Sequence, residues 1–398
     1  MGLSKRYRRS RGKFSALWRI VVRVAEPIAR QAVAAGRDSA ELARSLVDQL
    51  AGPGLQIAFV FADHRLDPAP LAGMHHRLSA PVVGCSAAGV VGPHETGAQP
   101  AAVGMGLYGD WARVGIGVAT ELSRDALRAS HNAVHRAAIA LGTTADALDP
   151  ARHIAITVIH GRYDGEEAFC IGSAAAAPKI RFVGGCTATD HGGRTCVWVN
   201  GEVMSDAGVV IVLHSNQPFH AVSSAHLVPT EIKTVVTAVS GRVIEELDGR
   251  PAAPRLRQLV AGLGDRLDDQ RPAYAFARYL DGVPYVRSLC RVVGDHLELA
   301  CAVEAGHILR VMQAGDLIAT TRRDLATAAT RVGGTMAAFL VFSCLGRHLK
   351  DEARGIDHEL AASYAAYPAA GFRTLSEQSG MLLLNHTLTG LAIGAPKP

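Results

Sequence analysis

The chain has 398 residues, of which 48% are hydrophobic and 19% charged, enough to bury a large core and to exclude intrinsic disorder for most of its length. A net charge of +5 with no Lys/Arg run beyond the N-terminus, together with 5% aromatic content, argues against nucleic acid as the main partner. Seven scattered cysteines, an odd number with no C-x-x-C pair, exclude a disulfide framework and a structural zinc site and point to reduced thiols in a cytoplasm.

Residues 1–24 read as a basic tail: Arg19, Arg23 and Glu26 interrupt the apolar stretch that follows, so a signal peptide is not expected. No run of 18 uncharged apolar residues occurs, so stable membrane insertion is not expected either. Residues 25–50, rich in Ala, Leu and Arg, predict one helix ending at Gly52-Pro53-Gly54. A buried strand at Ile57–Phe61 follows, then a helix over 67–78 and a second strand running into a turn at 81–89. Strands at 101–109 and 112–119, joined by Gly109-Asp110, lead to a helix over 123–142.

The same order then recurs. Strand His153–Ile159 precedes an Ala-rich helix, a strand ending R-F-V-G-G-C-T-A-T-D at 181–190, and a hairpin of TCVWVNGEVMS and AGVVIVLHS turned at Asn200-Gly201. A more diverged copy closes the chain, with a strand at Ala338–Phe342, a helix over 351–366, a turn at 371–377 and final strands around LLLNHTLTGLAIG. Between the second and third copies, residues 233–260 read as two short strands, a turn at Asp248-Gly249 and a helix started by Pro251; alternating strands follow. The expected fold is α/β (mixed α+β), with repeated β-α-β-β units forming mixed sheets flanked by helices. Two domains are expected, 25–250 with internal repeats at about 57–142 and 153–250, and 251–398.

Candidate functional residues cluster at the expected strand ends. Gly84, Gly185 and Gly371 sit where the backbone is expected to turn, and their corners are expected to converge on a shared cavity. Cys344, Arg347, Glu377, Asn385 and Thr387 are expected at one sheet edge, where Arg347 offers a fork to a carboxylate and Glu377 a charge to an amine, a set suited to a zwitterion. Cys85 and Cys186 occupy apparently corresponding turns, which opens a reading as a thiol-dependent enzyme or biosynthetic accessory if a base such as His94 or His191 approaches. Buried small residues at equivalent positions of a duplication are the commoner explanation.

The motifs F-V-F-A-D at 59–63, P-V-V-G-C-S-A-A-G at 81–89, V-G-G-C-T-A at 183–188, V-V-T-A-V-S-G-R-V-I-E-E-L-D-G-R-P-A at 235–252, F-S-C-L-G-R at 342–347, G-F-R-T-L-S-E at 371–377 and L-N-H-T at 384–387 resemble those of FIST proteins. The resemblance implies an N-terminal and a C-terminal FIST domain and an intracellular receptor for a small ligand, with amino acids suggested. One branch implies a haem-binding nitric-oxide sensor that regulates a histidine kinase. Haem would need an axial nitrogen in an apolar pocket, for which His386 is the first candidate, ahead of His348, His214 and His160. His131 and His135 lack an obvious third metal ligand, and attached c-type haem is excluded because C-x-x-C-H is absent. Val90 and Val91 stand where the family usually has a small residue and Gly-Glu, and Ser376 where it has a Gly before Glu377, so the first repeat lacks the Glu that the third retains.

Overall fold

The computed structural model describes residues 28–92, 99–161, 165–189, 194–269, 274–280, 282–347 and 356–396. The basic tail at 1–24 and His94, His191 and His348 lie outside them.

The stretch expected to be one helix is instead β1 (Ala29–Ala35) and α1 (Ser39–Leu50). The β1 sequence is Ala-rich, yet all seven of its residues pair with a strand at Ala101–Tyr108, so a tertiary ladder overrides local propensity. Asp38 marks the true helix start, accepting hydrogen bonds from the Ala40 and Glu41 amides. The first repeat continues with β2 (Leu55–Asp63), the short helices α2 (Pro68–Ala72) and α3 (His75–Leu78), β3 (Val82–Ala87), β4 (Val90–Val91) and β5 (Ala101–Tyr108). The second comprises β6 (Ala112–Thr120), α4 (Leu122–Ala140), β7 (His153–Ile159), α5 (Glu166–Ala176), β8 (Arg181–Thr187), β9 (Val197–Val199), β10 (Glu202–Met204) and β11 (Ala207–Ser215).

A third repeat opens with β12 (Phe219–Ala225) and is interrupted by an insertion. That insertion holds β13 (Leu227–Ser240), β14 (Val243–Leu247), β15 (Arg250–Pro251), α6 (Ala252–Ala261), β16 (Tyr274–Leu280), β17 (Val283–Val293), β18 (His296–Leu299) and β19 (Ile308–Ala314). The repeat resumes with α7 (Leu317–Arg331), β20 (Met336–Cys344), α8 (Ile356–Ala365), β21 (Ala369–Ser379), β22 (Leu382–Leu384) and β23 (Thr387–Gly394). The protein is thus a mixed α+β fold of repeated units with extensive mixed sheets.

Each repeat builds the same four-strand order: β1-β5-β2-β3, β6-β11-β7-β8 and β12-β23-β20-β21. The first joins β9 and β10 in a six-stranded sheet, and the other two meet edge to edge through β8 and β21 in a ten-stranded sheet that also receives β4 and β22. The insertion forms its own seven-stranded sheet, β13-β19-β16-β17-β18-β14-β15, with strands on both sides of the boundary expected at 250.

Two expected hairpins divide between sheets. Strand β5 is buried at every residue and lies inside the six-stranded sheet, whereas β6 alternates buried with exposed positions as the edge of the ten-stranded one. The Asn200-Gly201 turn closes β9 on β10, both residues being in the left-handed region at φ 48° and 89°, and β11 belongs to the other sheet.

Strand register fixes how the repeats correspond. The parallel pairs place Val60 opposite Gly84, Thr157 opposite Gly184, and Val341 opposite Gly371. A Cβ on those glycines would stand 1.6, 2.2 and 1.6 Å from the facing carbonyl oxygen, so the chains approach too closely there for any side chain. Gly84 therefore corresponds to Gly184, not to Gly185 as the similar sequences imply. A slip of one residue reverses the face: Cys85 packs between the two large sheets, while Cys186 packs under α4 and α5.

The main core lies between the six- and ten-stranded sheets, where Phe61, Phe342 and Phe372 meet with ring centroids 5.2 to 6.3 Å apart. Helices cover the outer faces, α1 over the first repeat, α4 and α5 over the second, and α7 and α8 over the third. No helix among the described residues is long and apolar enough to cross a membrane.

Candidate functional site

The polar centre of the molecule is set by one irregularity in β21. That strand pairs with β8 as Thr374 opposite Thr187, then Ser376 opposite Cys186 and Glu377 opposite Gly185, which leaves Leu375 as a β-bulge. In a regular strand residues three apart face opposite sides; the bulge brings the side chains of Thr374 and Glu377 to one side. Thr374 Oγ1 donates to Glu377 Oε1, and Thr387 Oγ1 donates to Oε2 at 2.5 Å. The Glu377 carboxyl is wholly buried. Burial pushes its pKa up to about 8, opposed by the two threonine hydroxyls, the Arg347 charge and the Cys344 thiol.

Arg347 ends the single 3-10 turn Leu345–Arg347 that follows β20. It is 1% exposed, with Nη2 donating to Thr321 Oγ1 of α7 at 2.7 Å and Nη1 to Ser343 Oγ at 3.4 Å. Its Nε has no hydrogen-bond partner. The guanidinium charge reaches Glu377 through space, yet its direct partners are both neutral hydroxyls. Cys344 lies between them; its thiol donates to the bulge carbonyl of Leu375 at 3.6 Å, and burial holds its pKa far above the usual thiol value.

The turn between β22 and β23 supplies the opposite wall. Asn385 Oδ1 accepts from the Cys301 thiol at 2.9 Å and from the Ser288 amide at 3.4 Å, while its Nδ2 donates to the Leu375 carbonyl at 3.5 Å. His386, in the left-handed region at φ 52°, places Nε2 2.6 Å from Ser288 Oγ and makes a backbone hydrogen bond with Gly346. Burial pulls its pKa down to about 4, so the ring is neutral. Ser288 lies on β17 and Cys301 just beyond β18, so the centre sits where the third repeat meets the seven-stranded sheet. Ligand sites favour such junctions.

Of the ten residues expected to bind a ligand, the structure brings together Cys344, Arg347, Glu377, Asn385 and Thr387, with Gly185 across the ladder from Glu377. Gly84, Cys85 and Gly371 lie apart from that centre, and Cys186, opposite Ser376 in the same ladder, is buried under α4 and α5 within reach of the Glu377 charge. All four are inside strands, not at turns, and the expected convergence of Gly84, Gly185 and Gly371 on one cavity does not occur: each is packed against a neighbouring strand. Burial raises the pKa of Cys85 and Cys186 well above the ordinary thiol value, which removes the thiolate a nucleophilic role needs.

A haem iron does not fit His386, because Ser288 occupies Nε2 and the ring already makes its Gly346 hydrogen bond. His214 contacts His153 at 3.2 Å, and His160 is bonded to the Asp206 amide and the Thr195 backbone. Sequence reading missed Thr374, Thr321, Ser343, Ser288 and Cys301. Thr374 was hidden because strict alternation sets it on the face opposite Glu377; the others come from distant elements that no spacing links.

The repeats and their buried acid–guanidinium centre define a two-part α+β protein. The chain belongs to the FIST family: a FIST N domain matches residues 54–250 and a FIST C domain residues 252–380. FIST domains are associated with small-ligand sensing and signalling. Comparison with curated proteins gives no match. Among solved structures, the chain is similar to cyanuric acid hydrolase from A. caulinodans at 12% identity, covering 93% of this chain and 99% of that one with a TM-score of 0.33. It is also similar to a chorismatase at 12% identity, 92% and 99% coverage and a TM-score of 0.30.

Proposed function

We propose that this FIST protein is a sensory receptor that takes a small, amino-acid-like ligand between Arg347 and Glu377 and signals the event through a partner protein. The observation that supports it is a buried guanidinium held by two hydroxyls with its Nε unpartnered. Such a guanidinium lacks a hydrogen bond at Nε and a counter-charge in contact, and a ligand carboxylate supplies both. Glu377 beside it takes the ligand ammonium. Because its pKa stands near 8, the carboxyl is largely protonated at neutral pH, and the incoming cation displaces that proton.

Calorimetry with an amino-acid panel on wild type, Arg347→Ala and Glu377→Gln tests the reading. Wild type binds selected amino acids with release of a proton, seen as heats that change with the buffer. Arg347→Ala loses them, and Glu377→Gln binds without proton release. Equal responses in wild type and Arg347→Ala remove Arg347 from the site.

A further inference from the structure

We infer that the second repeat carries a separate site for a small carboxylate, in a cavity at the carboxyl ends of β7 and β8. The cavity measures about 340 Å³ and is lined by His160, Gly161, Thr187, Thr189, Arg194 and Thr195. That volume is at the lower end for ligand pockets and suits a metabolite of few heavy atoms.

Register makes this cavity the counterpart of the Glu377 centre. Pairing Thr157 with Gly184 and Val341 with Gly371 sets His160 in correspondence with Cys344, and Thr187 with Thr374. By the same register Glu377 corresponds to Asp190, which lies outside the described residues, and the second repeat is open where the third is closed. Gly161 holds the mouth: its amide donates to Thr187 Oγ1 at 3.1 Å, and a Cβ there would come within 2.3 Å of the Thr187 carbonyl.

The lining specifies an anion. Arg194 is exposed at the rim and makes no ion pair with a described residue. His160 is kept neutral by burial, and the nearby Asp206 carboxylate is turned away to the amide and hydroxyl of Ser123. Arg194 is thus the charged side chain among the described lining residues. Deeper in, Thr187 and Thr195 hydroxyls bond each other at 2.7 Å, whereas Thr189 Oγ1, in a residue 6% exposed, has no partner. A hydroxyl buried unpaired beside a cavity with a free guanidinium at its rim is a prepared donor for an oxygen of the ligand.

Titration by NMR with acetate, lactate and malonate, with inorganic phosphate and methylammonium as controls, tests the assignment on the full chain. At least one carboxylate binds wild type, and Arg194→Ala and Thr189→Val each weaken it about tenfold or more, a loss typical of one charge-assisted hydrogen bond. Thr189→Val also raises the melting temperature of the ligand-free protein, since it removes an unpaired buried hydroxyl, which separates loss of binding from loss of fold. Arg347→Ala leaves this binding unchanged, so its outcome is independent of the Glu377 centre. No binding by any carboxylate, binding indifferent to both variants, or preference for phosphate overturns the assignment.

Discussion

Gly185 lies directly opposite Glu377 in the ladder that joins the second repeat to the third. A Cβ at 185 would stand 2.3 Å from Thr374 Cγ2, and Thr374 is one of the two residues whose hydroxyls hold the Glu377 carboxyl. The absent side chain thus gives Thr374 its rotamer, and through it the acid its orientation. Both Thr374 and Phe342, 3.3 Å from the same point, are packed in the core, so the site cannot relax cheaply. Gly185→Ala is expected to cost about 1–3 kcal/mol, the usual penalty of overpacking. Urea denaturation measures it, and a midpoint equal to wild type refutes the steric account.

Glu377 and His386 give stability a defined pH profile. Glu377 has its folded pKa raised from 4.5 to about 8, so its contribution is full below 4.5 and is lost as pH rises through 8. His386 has its folded pKa lowered from 6.5 to about 4, so its contribution is full above 6.5 and is lost as pH falls through 4. Between 4.5 and 6.5 the two slopes oppose each other; between 6.5 and 8 only the Glu377 slope remains, on the order of 1 kcal/mol per pH unit. Melting temperatures are therefore expected to fall from pH 6.5 to 8 in wild type and to stay level over that range in Glu377→Gln.

Much of this fold was legible because buried strands declare themselves. The apolar runs at β2, β7 and β20 and the glycine-bearing strands after them gave the three repeats. What escaped was governed by partners distant in sequence. Residues 29–35 carry a helical composition and become a strand only because β5 is there to pair with. Strand β12 looks like the end of the second copy, yet it pairs with β23, some 170 residues later by simple count, and opens the third. At the site, Arg347 and Glu377 were visible as charges beside apolar strands. The hydroxyls that hold them were not, since Thr321 comes from α7 and the Thr374 contact depends on a bulge.

Cysteine labelling reads the layers directly. Cys290 is exposed and Cys196 half-buried, whereas Cys85, Cys170, Cys186, Cys301 and Cys344 are buried. An alkylating reagent at neutral pH is expected to modify Cys290 first and Cys196 slowly, with the five buried thiols reacting only in denaturant. Mass spectrometry of timed digests distinguishes them. Early modification of Cys85 or Cys186 in the folded protein contradicts their packing and revives the thiol-enzyme reading.

The seven-stranded sheet is fastened to the second repeat by Arg242. Its Nη2 donates to Glu166 Oε2 at 2.7 Å and to Glu167 Oε2 at 3.1 Å, and Glu167 Oε1 accepts from the Ala302 amide at 2.7 Å. The Glu166 side chain is 1% exposed, so removing the guanidinium withdraws a counter-charge from a carboxylate that water hardly reaches. Arg242→Ala is expected to cost about 3–5 kcal/mol, and adding Glu166→Gln to it to recover a large part, because the buried charge then goes with its partner. Since the same sheet supplies Ser288 and Cys301 to the Glu377 centre, Arg242→Ala is also expected to weaken ligand binding there, while Arg242→Ala with Glu166→Gln restores it in step with stability. Chemical denaturation and calorimetry on Arg242→Ala, Glu166→Gln and the double variant check both outcomes; additive costs, with no recovery in the double variant, exclude the ion pair as the fastening.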